Sequence, residues 1–196
     1  MDALTALKHR YSYRNRSRKA DFAVSFGRSH GVRSVLLVGV DGRRDAVGNV
    51  TPTTNLIENA IISAFERTVA SGMRPQAAGW PSYIQCSGLA LPFDDDSFDL
   101  VYSNAVIEHV GQEPEQRQFA AEHARVGKHW ILTTPNRLFP IESHTMTVGK
   151  HMSQRWRPPR PAYTRLLSKR DFREVLPDGA KIEGVPFGPT FTATSA

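Results

Sequence analysis

Two histidines stand where they could move a proton. His109 follows Glu108 just beyond an apolar run that ends in Ser103-Asn104, and an imidazole with an ordinary pKa near 6.5 suits a general base acting on a hydroxyl or amine. The plainer use of Glu108 and His109 is to satisfy backbone groups where a helix starts. His144 lies two residues after Glu142 and makes a second acid-base pair, with Arg137 upstream able to grip a carboxylate or phosphate. Asn136 and Arg137 could equally cap the loop behind Pro135. Gly39 and Gly42 flank Asp41 after another apolar run, where absent side chains either let the chain turn or let a ligand approach the backbone. Asp94, Asp95 and Asp96 are carboxylates of the kind that hold magnesium or calcium, but no further ligands stand at a recognisable spacing. A solvated acidic turn is expected there, and no metal. The lone Cys86 can form neither an internal disulfide nor a zinc site and is expected as inert core.

A chain of 196 residues, 40% hydrophobic and 22% charged, is the size of one globular domain. No apolar run approaches the roughly 20 residues of a membrane-spanning helix, and residues 1–30 lack the pattern of a secretory signal. A cytoplasmic protein is expected. The net charge of +6 is gathered at the two ends, at residues 8–19 and 150–173, around an acidic middle. Clustered cations attract anionic partners, although a solvated surface is the plainer reading.

The positioning elements read as alternating strands and helices. Residues 35–40 are a buried strand, and a helix follows in which Ile57, Ala60, Ile61, Ala64 and Phe65 share one face, with Asn55 and Glu58 at capping-box spacing. Strands are expected at residues 67–71, 82–86, 98–103 and 128–133, the last ended by Pro135, with a helix over 115–126. The Arg-Pro segment 157–161 must be extended. Ser168 and Asp171 make a second capping box before a helix to about residue 176, and 182–185 and 191–194 read as closing strands. The pattern predicts an α/β fold: a doubly wound, mostly parallel Rossmann-like sheet with helices on both faces and an antiparallel C-terminal edge. Residues 1–30 form a basic N-terminal arm or helix, and 31–196 a single domain.

Around the fourth strand the chain reads Gly88-Leu89-Ala90-Leu91-Pro92-Phe93-Asp94-Asp95-Asp96-Ser97-Phe98-Asp99, then a strand, then Glu108-His109. Beyond the fifth comes Thr134-Pro135-Asn136-Arg137-Leu138-Phe139-Pro140-Ile141-Glu142-Ser143-His144-Thr145. These two stretches, in this order, resemble the type 11 branch of the class I S-adenosylmethionine-dependent methyltransferases. The resemblance spans residues 35–145. It implies that S-adenosylmethionine is the cofactor, met by Gly39, Asp41 and Gly42 in the first loop, by Glu58 on the helix behind it, by Ser87, Gly88, Leu89 and Ala90 beside adenine, and by Asn104 and Ala105 after the fourth strand. His109 and His144 are then the catalytic candidates, and Asn136, Arg137 and Glu142 the acceptor-binding ones.

The activity expected is methyl transfer to an oxygen or nitrogen of a small-molecule acceptor, anionic or sugar-like. Nucleic acid is not expected as a partner: a solvated surface is the plainer reading of the basic ends, and Ser103-Asn104-Ala105-Val106 is not the Asn/Asp-Pro-Pro-aromatic run that clamps a base. A homo- or hetero-oligomer is left open. The alternative is a degenerate methyltransferase fold serving as a non-catalytic binding or partner subunit. It rests on Asp41 in the first loop, on Ser71-Gly72-Met73 where an acidic residue holds the ribose hydroxyls, and on Ser87 in place of an adenine-contacting Asp.

Overall fold

The computed structural model describes residues 3–40, 55–75, 80, 82–139, 164–186 and 188–196, with side chains from Arg10 onward. Among the described residues the chain has seven strands. By internal contacts the chain divides into Met1–Gln85 and Cys86–Ala196.

The first unit opens with α1 (Ala3–Ser29), followed by β1 (Ser34–Val38), α2 (Leu56–Ala64), β2 (Arg67–Gly72) and β3 (Tyr83–Gln85). Gly31, at φ 66, closes α1 in the left-handed conformation that ends many helices. Val35, Leu36, Leu37 and Val38 are all buried, the continuous pattern of a strand covered on both faces. β1 and β2 run parallel, Val35 opposite Thr68 and Val38 opposite Ser71, and β2 runs parallel to β3. Helix α2 buries Ile57 and Ile61, with Phe65 just past its end. Gly27 of α1 faces the Phe65 ring, where a side chain would collide with it.

The capping box expected of Asn55 and Glu58 does not form. Asn55 sits at φ 54 with no side-chain cap bond, whereas a capping side chain reaches the next turn only from an extended backbone. Asparagine tolerates that left-handed turn, which is the reason it suits the position.

The second unit holds β4 (Phe98–Asn104), a single 3-10 turn (Ile107–His109), α3 (Glu113–Val126), β5 (Gly127–Pro135), α4 (Lys169–Val175), β6 (Lys181–Glu183) and β7 (Thr190–Thr194). β4 and β5 are parallel, while β7 pairs antiparallel with β5 and β6, the expected antiparallel edge. Helix α3 starts two residues before the expected position, because Pro114 fits its first turn and the Gln112 N–H donates to the Glu115 carboxylate at 2.9 Å. β5 does not stop at residue 133 but runs through Pro135, which is its last residue. The Ser168/Asp171 capping box forms as expected: Asp171 N–H donates to Ser168 Oγ at 3.2 Å and Ser168 N–H to Asp171 at 3.0 Å. Cys86 lies just past β3 and is half-buried, so it is not a core residue of the strand. Among the described residues no helix is long and apolar enough to cross a membrane.

Candidate functional site

In open α/β sheets ligands meet the carboxyl ends of strands. In the first unit, β1 ends at Gly39, held at φ 78 where only glycine is unstrained. The N–H groups of Gly39 and Val40 both donate to Ser71 O, at 2.8 and 3.0 Å, so the β1 exit is stitched to β2. Asp41 and Gly42 lie outside the described residues. At the end of β2, Tyr83 Oη donates to Arg74 O at 2.6 Å and Gln85 Nε2 to Met73 O at 3.0 Å. These bonds fix the turn while leaving the Met73 side chain 70% exposed.

Gly72 makes this end possible. A Cβ there would stand 2.5 Å from Val40 O and 3.0 Å from Tyr83 Oη. Gly72→Ala must therefore push the β1 exit away, and is expected to lower stability by about 2 kcal/mol, in the range of core overpacking. Thermal unfolding would show this as a midpoint roughly 6 °C lower for a chain of this size; an unchanged midpoint would refute the close approach.

Glu58 stands in the first turn of α2. Burial pushes its carboxyl up, against the pull of its own backbone N–H and of Arg16 and Lys19 from α1. Its electrostatic neighbours are thus the cations of α1.

In the second unit the Leu-Pro-Phe stretch forms a turn clamped by α3. Ser87 Oγ accepts from Leu89 N–H at 3.2 Å and Ser87 O from Ala90 N–H at 3.1 Å, while Gly88 lies in the same turn. Gln118 Nε2 donates to Leu89 O at 2.7 Å, and Leu91 N–H to Glu122 at 2.7 Å. Arg125 donates to Leu91 O at 3.0 Å, to Phe93 O at 2.8 Å and to Asp95 at 2.9 Å, and grips both Glu122 oxygens at 2.7 and 2.8 Å. The hydrogen bond from Arg125 holds the Glu122 carboxyl below its ordinary range. Gln118, Glu122 and Arg125 were not singled out from sequence. Their signal was a spacing of four and then three on one helix, which puts polar groups on one face.

β4 leaves through Asn104, whose Oδ1 accepts from Thr133 Oγ1 at 2.8 Å, and Ala105, whose N–H donates to Thr133 O at 3.0 Å. Ala105 is at φ 57, a backbone strain that costs about 1 kcal/mol or more and clusters at ligand sites. The 3-10 turn then presents Glu108 and His109. Glu108 is fully buried and accepts from Thr134 Oγ1 at 3.3 Å. His109 has Nε2 4.0 Å from Glu108 Oε1 and Nδ1 3.5 Å from Thr164 Oγ1, with its side chain 37% exposed. Glu108 O and Ile107 O are tied down by Arg165 N–H at 2.8 Å and Gln116 Nε2 at 3.1 Å.

Past β5, Asn136 is buried with its amide fully used: Nδ2 donates to Pro186 O and Gly188 O at 2.6 and 2.8 Å, and Oδ1 accepts from Leu138 N–H at 2.9 Å. Arg137, half-exposed, lies 3.2 Å from Asp171. Glu142 and His144, like the Arg-Pro segment, lie outside the described residues. Within the second unit the structure thus brings Glu108, His109 and Thr164 together, and Arg137 with Asp171.

Residues 46–129 match the family described as methyltransferase domain. An uncharacterized methyltransferase of Mycobacterium marinum (strain ATCC BAA-535 / M) is 39% identical over 82 residues, 40% of this chain and 31% of the relative. The chain spans about a third of the length of the curated relatives it matches. A SAM-dependent methyltransferase from Archaeoglobus fulgidus superposes at TM-score 0.57 with 11% identity, over 89% of this chain and 93% of that one. The N-methyltransferase NodS from Bradyrhizobium japonicum WM9 superposes at 0.55 with 12% identity, over 94% and 93%. These likenesses show the class I methyltransferase fold. The family match covers 84 of the 196 residues, and the fold is the one seen in S-adenosylmethionine-dependent methyltransferases.

Proposed function

We propose that the chain transfers a methyl group from S-adenosylmethionine to an oxygen or nitrogen of a small, anionic or sugar-like acceptor. What carries the reading is the shaped exit of β1, Gly39 at φ 78, in a chain that matches part of this family's domain and has the fold. Such turns bring backbone within reach of a ligand that a side chain would exclude. Gly39 with Asp41, Gly42 and Glu58, and Ser87, Gly88, Leu89, Ala90, Asn104 and Ala105, are the residues we assign to the cofactor. When bound, it supplies an electrophilic methyl carbon. The chain's own contribution is alignment of the acceptor, and near-attack geometry can supply about 7 to 11 kcal/mol. We assign to His109 the uptake of the acceptor's proton, a role supported by the buried Glu108 carboxyl 4.0 Å from its ring. His144 and Glu142 remain candidates for the same task, and Arg137, with Asn136 holding its loop, for the acceptor's anionic group. A cytoplasmic location goes with this reading, as does one Rossmann-like domain following a basic helix.

The competing reading, a non-catalytic partner subunit, draws on the exposed Met73 where a ribose-binding acid is expected. Calorimetric titration with S-adenosylmethionine and S-adenosylhomocysteine separates the two. Micromolar binding, about −8 kcal/mol, is expected. No heat and no thermal shift at millimolar ligand would leave the partner-subunit reading standing.

A further inference from the structure

The charge of this protein resides in one helix. α1 (Ala3–Ser29) carries seven Lys and Arg against the single Asp21, a net +6, while the remaining eighteen basic and eighteen acidic residues cancel. Arg10, Arg14 and Arg18 are exposed and four residues apart, so they form one ridge with a step of about 6 Å along the axis. Among the described residues none of the three has an ion-pair or hydrogen-bond partner. Three described cations near the C-terminus behave differently, while Arg173 and Lys181 do not: Arg165 bonds Gln116 at 2.6 Å, Arg170 pairs with Glu174 at 3.0 Å, and Lys169 donates to Gly184 O at 3.1 Å. Like charges one turn apart repel in a free helix, so an unpartnered arginine ridge is at its most favourable with anions laid along it.

Two tyrosines flank the ridge. Tyr11, 38% exposed, is three residues before Arg14, and Tyr13, 52% exposed, three after Arg10, which are neighbouring positions on a helix surface. Exposed rings beside guanidinium groups are what successive bases stack on. An anionic membrane is the lesser fit, because surface helices insert an apolar face and the small residues Ala20, Ala23 and Gly27 of α1 are buried, Gly27 against Phe65 of the same unit.

We infer that the Arg10-Arg14-Arg18 ridge of α1, with Tyr11 and Tyr13, docks the phosphate backbone and bases of a single-stranded nucleic acid. Lack of a base-clamping motif after β4 concerns which atom is methylated, and leaves backbone docking on α1 unaffected. The inference stands independently of methyl transfer.

The test is fluorescence anisotropy of the full chain with a labelled oligouridylate of roughly 20 nucleotides, the length of one or a few single-strand binding sites, across a salt series. The R10Q/R14Q/R18Q variant changes only exposed side chains, and its thermal midpoint is measured alongside; R170Q/R173Q/K181Q, three exposed cations outside α1, serves as a charge-matched control. Wild type and this control are expected to bind in the micromolar range at low salt. The triple variant is expected to bind at least about tenfold more weakly, with the slope of log affinity against log salt flatter by about 2, at about 0.7 per lost phosphate contact. The inference is overturned by three results: no binding by wild type at low salt, undiminished binding by a folded triple variant, or binding to phosphatidylserine vesicles but not to the oligonucleotide.

Discussion

Arg125→Gln is expected to destabilise the protein by about 3 kcal/mol and to weaken S-adenosylmethionine binding roughly tenfold. The first effect follows from what the guanidinium joins: two Glu122 oxygens, the Leu91 and Phe93 carbonyls and Asp95, all at 2.7 to 3.0 Å. Glutamine is too short and too poor in donors to serve more than one of them. Two carbonyls lose a charged donor, and Glu122, 16% exposed, loses its counter-ion; hydrogen bonds to charged groups contribute about 1.5 to 3 kcal/mol each, and removing one partner of a poorly exposed pair is dearer than the mean. The affinity loss follows if the turn that includes Leu89 and Ala90 presents adenine contacts, as proposed above. Arg125→Lys should recover only part of either effect, since an ammonium cannot hold two oxygens and two carbonyls in one plane. Thermal unfolding and calorimetry read the two effects separately. A variant as stable as the wild type would show that α3 does not hold the turn, whereas lost stability with unchanged cofactor affinity would detach the turn from cofactor binding.

Acidification from pH 7 to pH 4 is expected to remove about 3 kcal/mol of stability through His123 alone. Its side chain is fully buried on α3, Nδ1 lies 2.8 Å from Phe119 O, the ring packs against Phe119 at 4.4 Å, and Nε2 has no hydrogen-bond partner among the described residues. Burial pushes its pKa down to about 4, against the smaller upward pulls of the Phe119 carbonyl and Glu122. Above pH 6.5 the ring is neutral in both states and contributes no pH dependence. Below that the unfolded chain takes up a proton that the folded one refuses until about pH 4, so stability falls across that window, by about 1.4 kcal/mol for each pH unit of difference. His123→Leu removes the titrating group and leaves no new polar orphan, because Phe119 O keeps its helical partner. Urea unfolding at pH 7 and pH 4.5 should therefore show a smaller pH-dependent loss in the variant than in the wild type. Equal losses would place the acid sensitivity elsewhere.

Which parts of this molecule were legible in the sequence follows from the range of the forces involved. The run of Val35 to Val38 announces a buried strand because burial on both faces requires continuous apolar residues, and Ser168 with Asp171 announces a helix start because both halves of a capping box lie within one turn. The alternation of strands and helices, with two closing strands, was enough for the α/β class and its antiparallel edge. Local spacing failed where the backbone conformation intervened: Asn55 and Glu58 have the right separation, but φ 54 turns the asparagine away from capping. It was also silent wherever a side chain is committed to a distant stretch of chain. Asn136, read as an acceptor contact, bonds carbonyls at Pro186 and Gly188, and Arg125 clamps a turn some thirty residues upstream. Likewise the basic residues of 8–19 and Arg165 look alike in sequence, yet only tertiary packing decides that Arg165 bonds the distant Gln116 while Arg10, Arg14 and Arg18 stand in solvent. Residue type and spacing determine which secondary structures form, because those interactions close within a turn or a pleat; partners fifty residues apart are chosen by the fold.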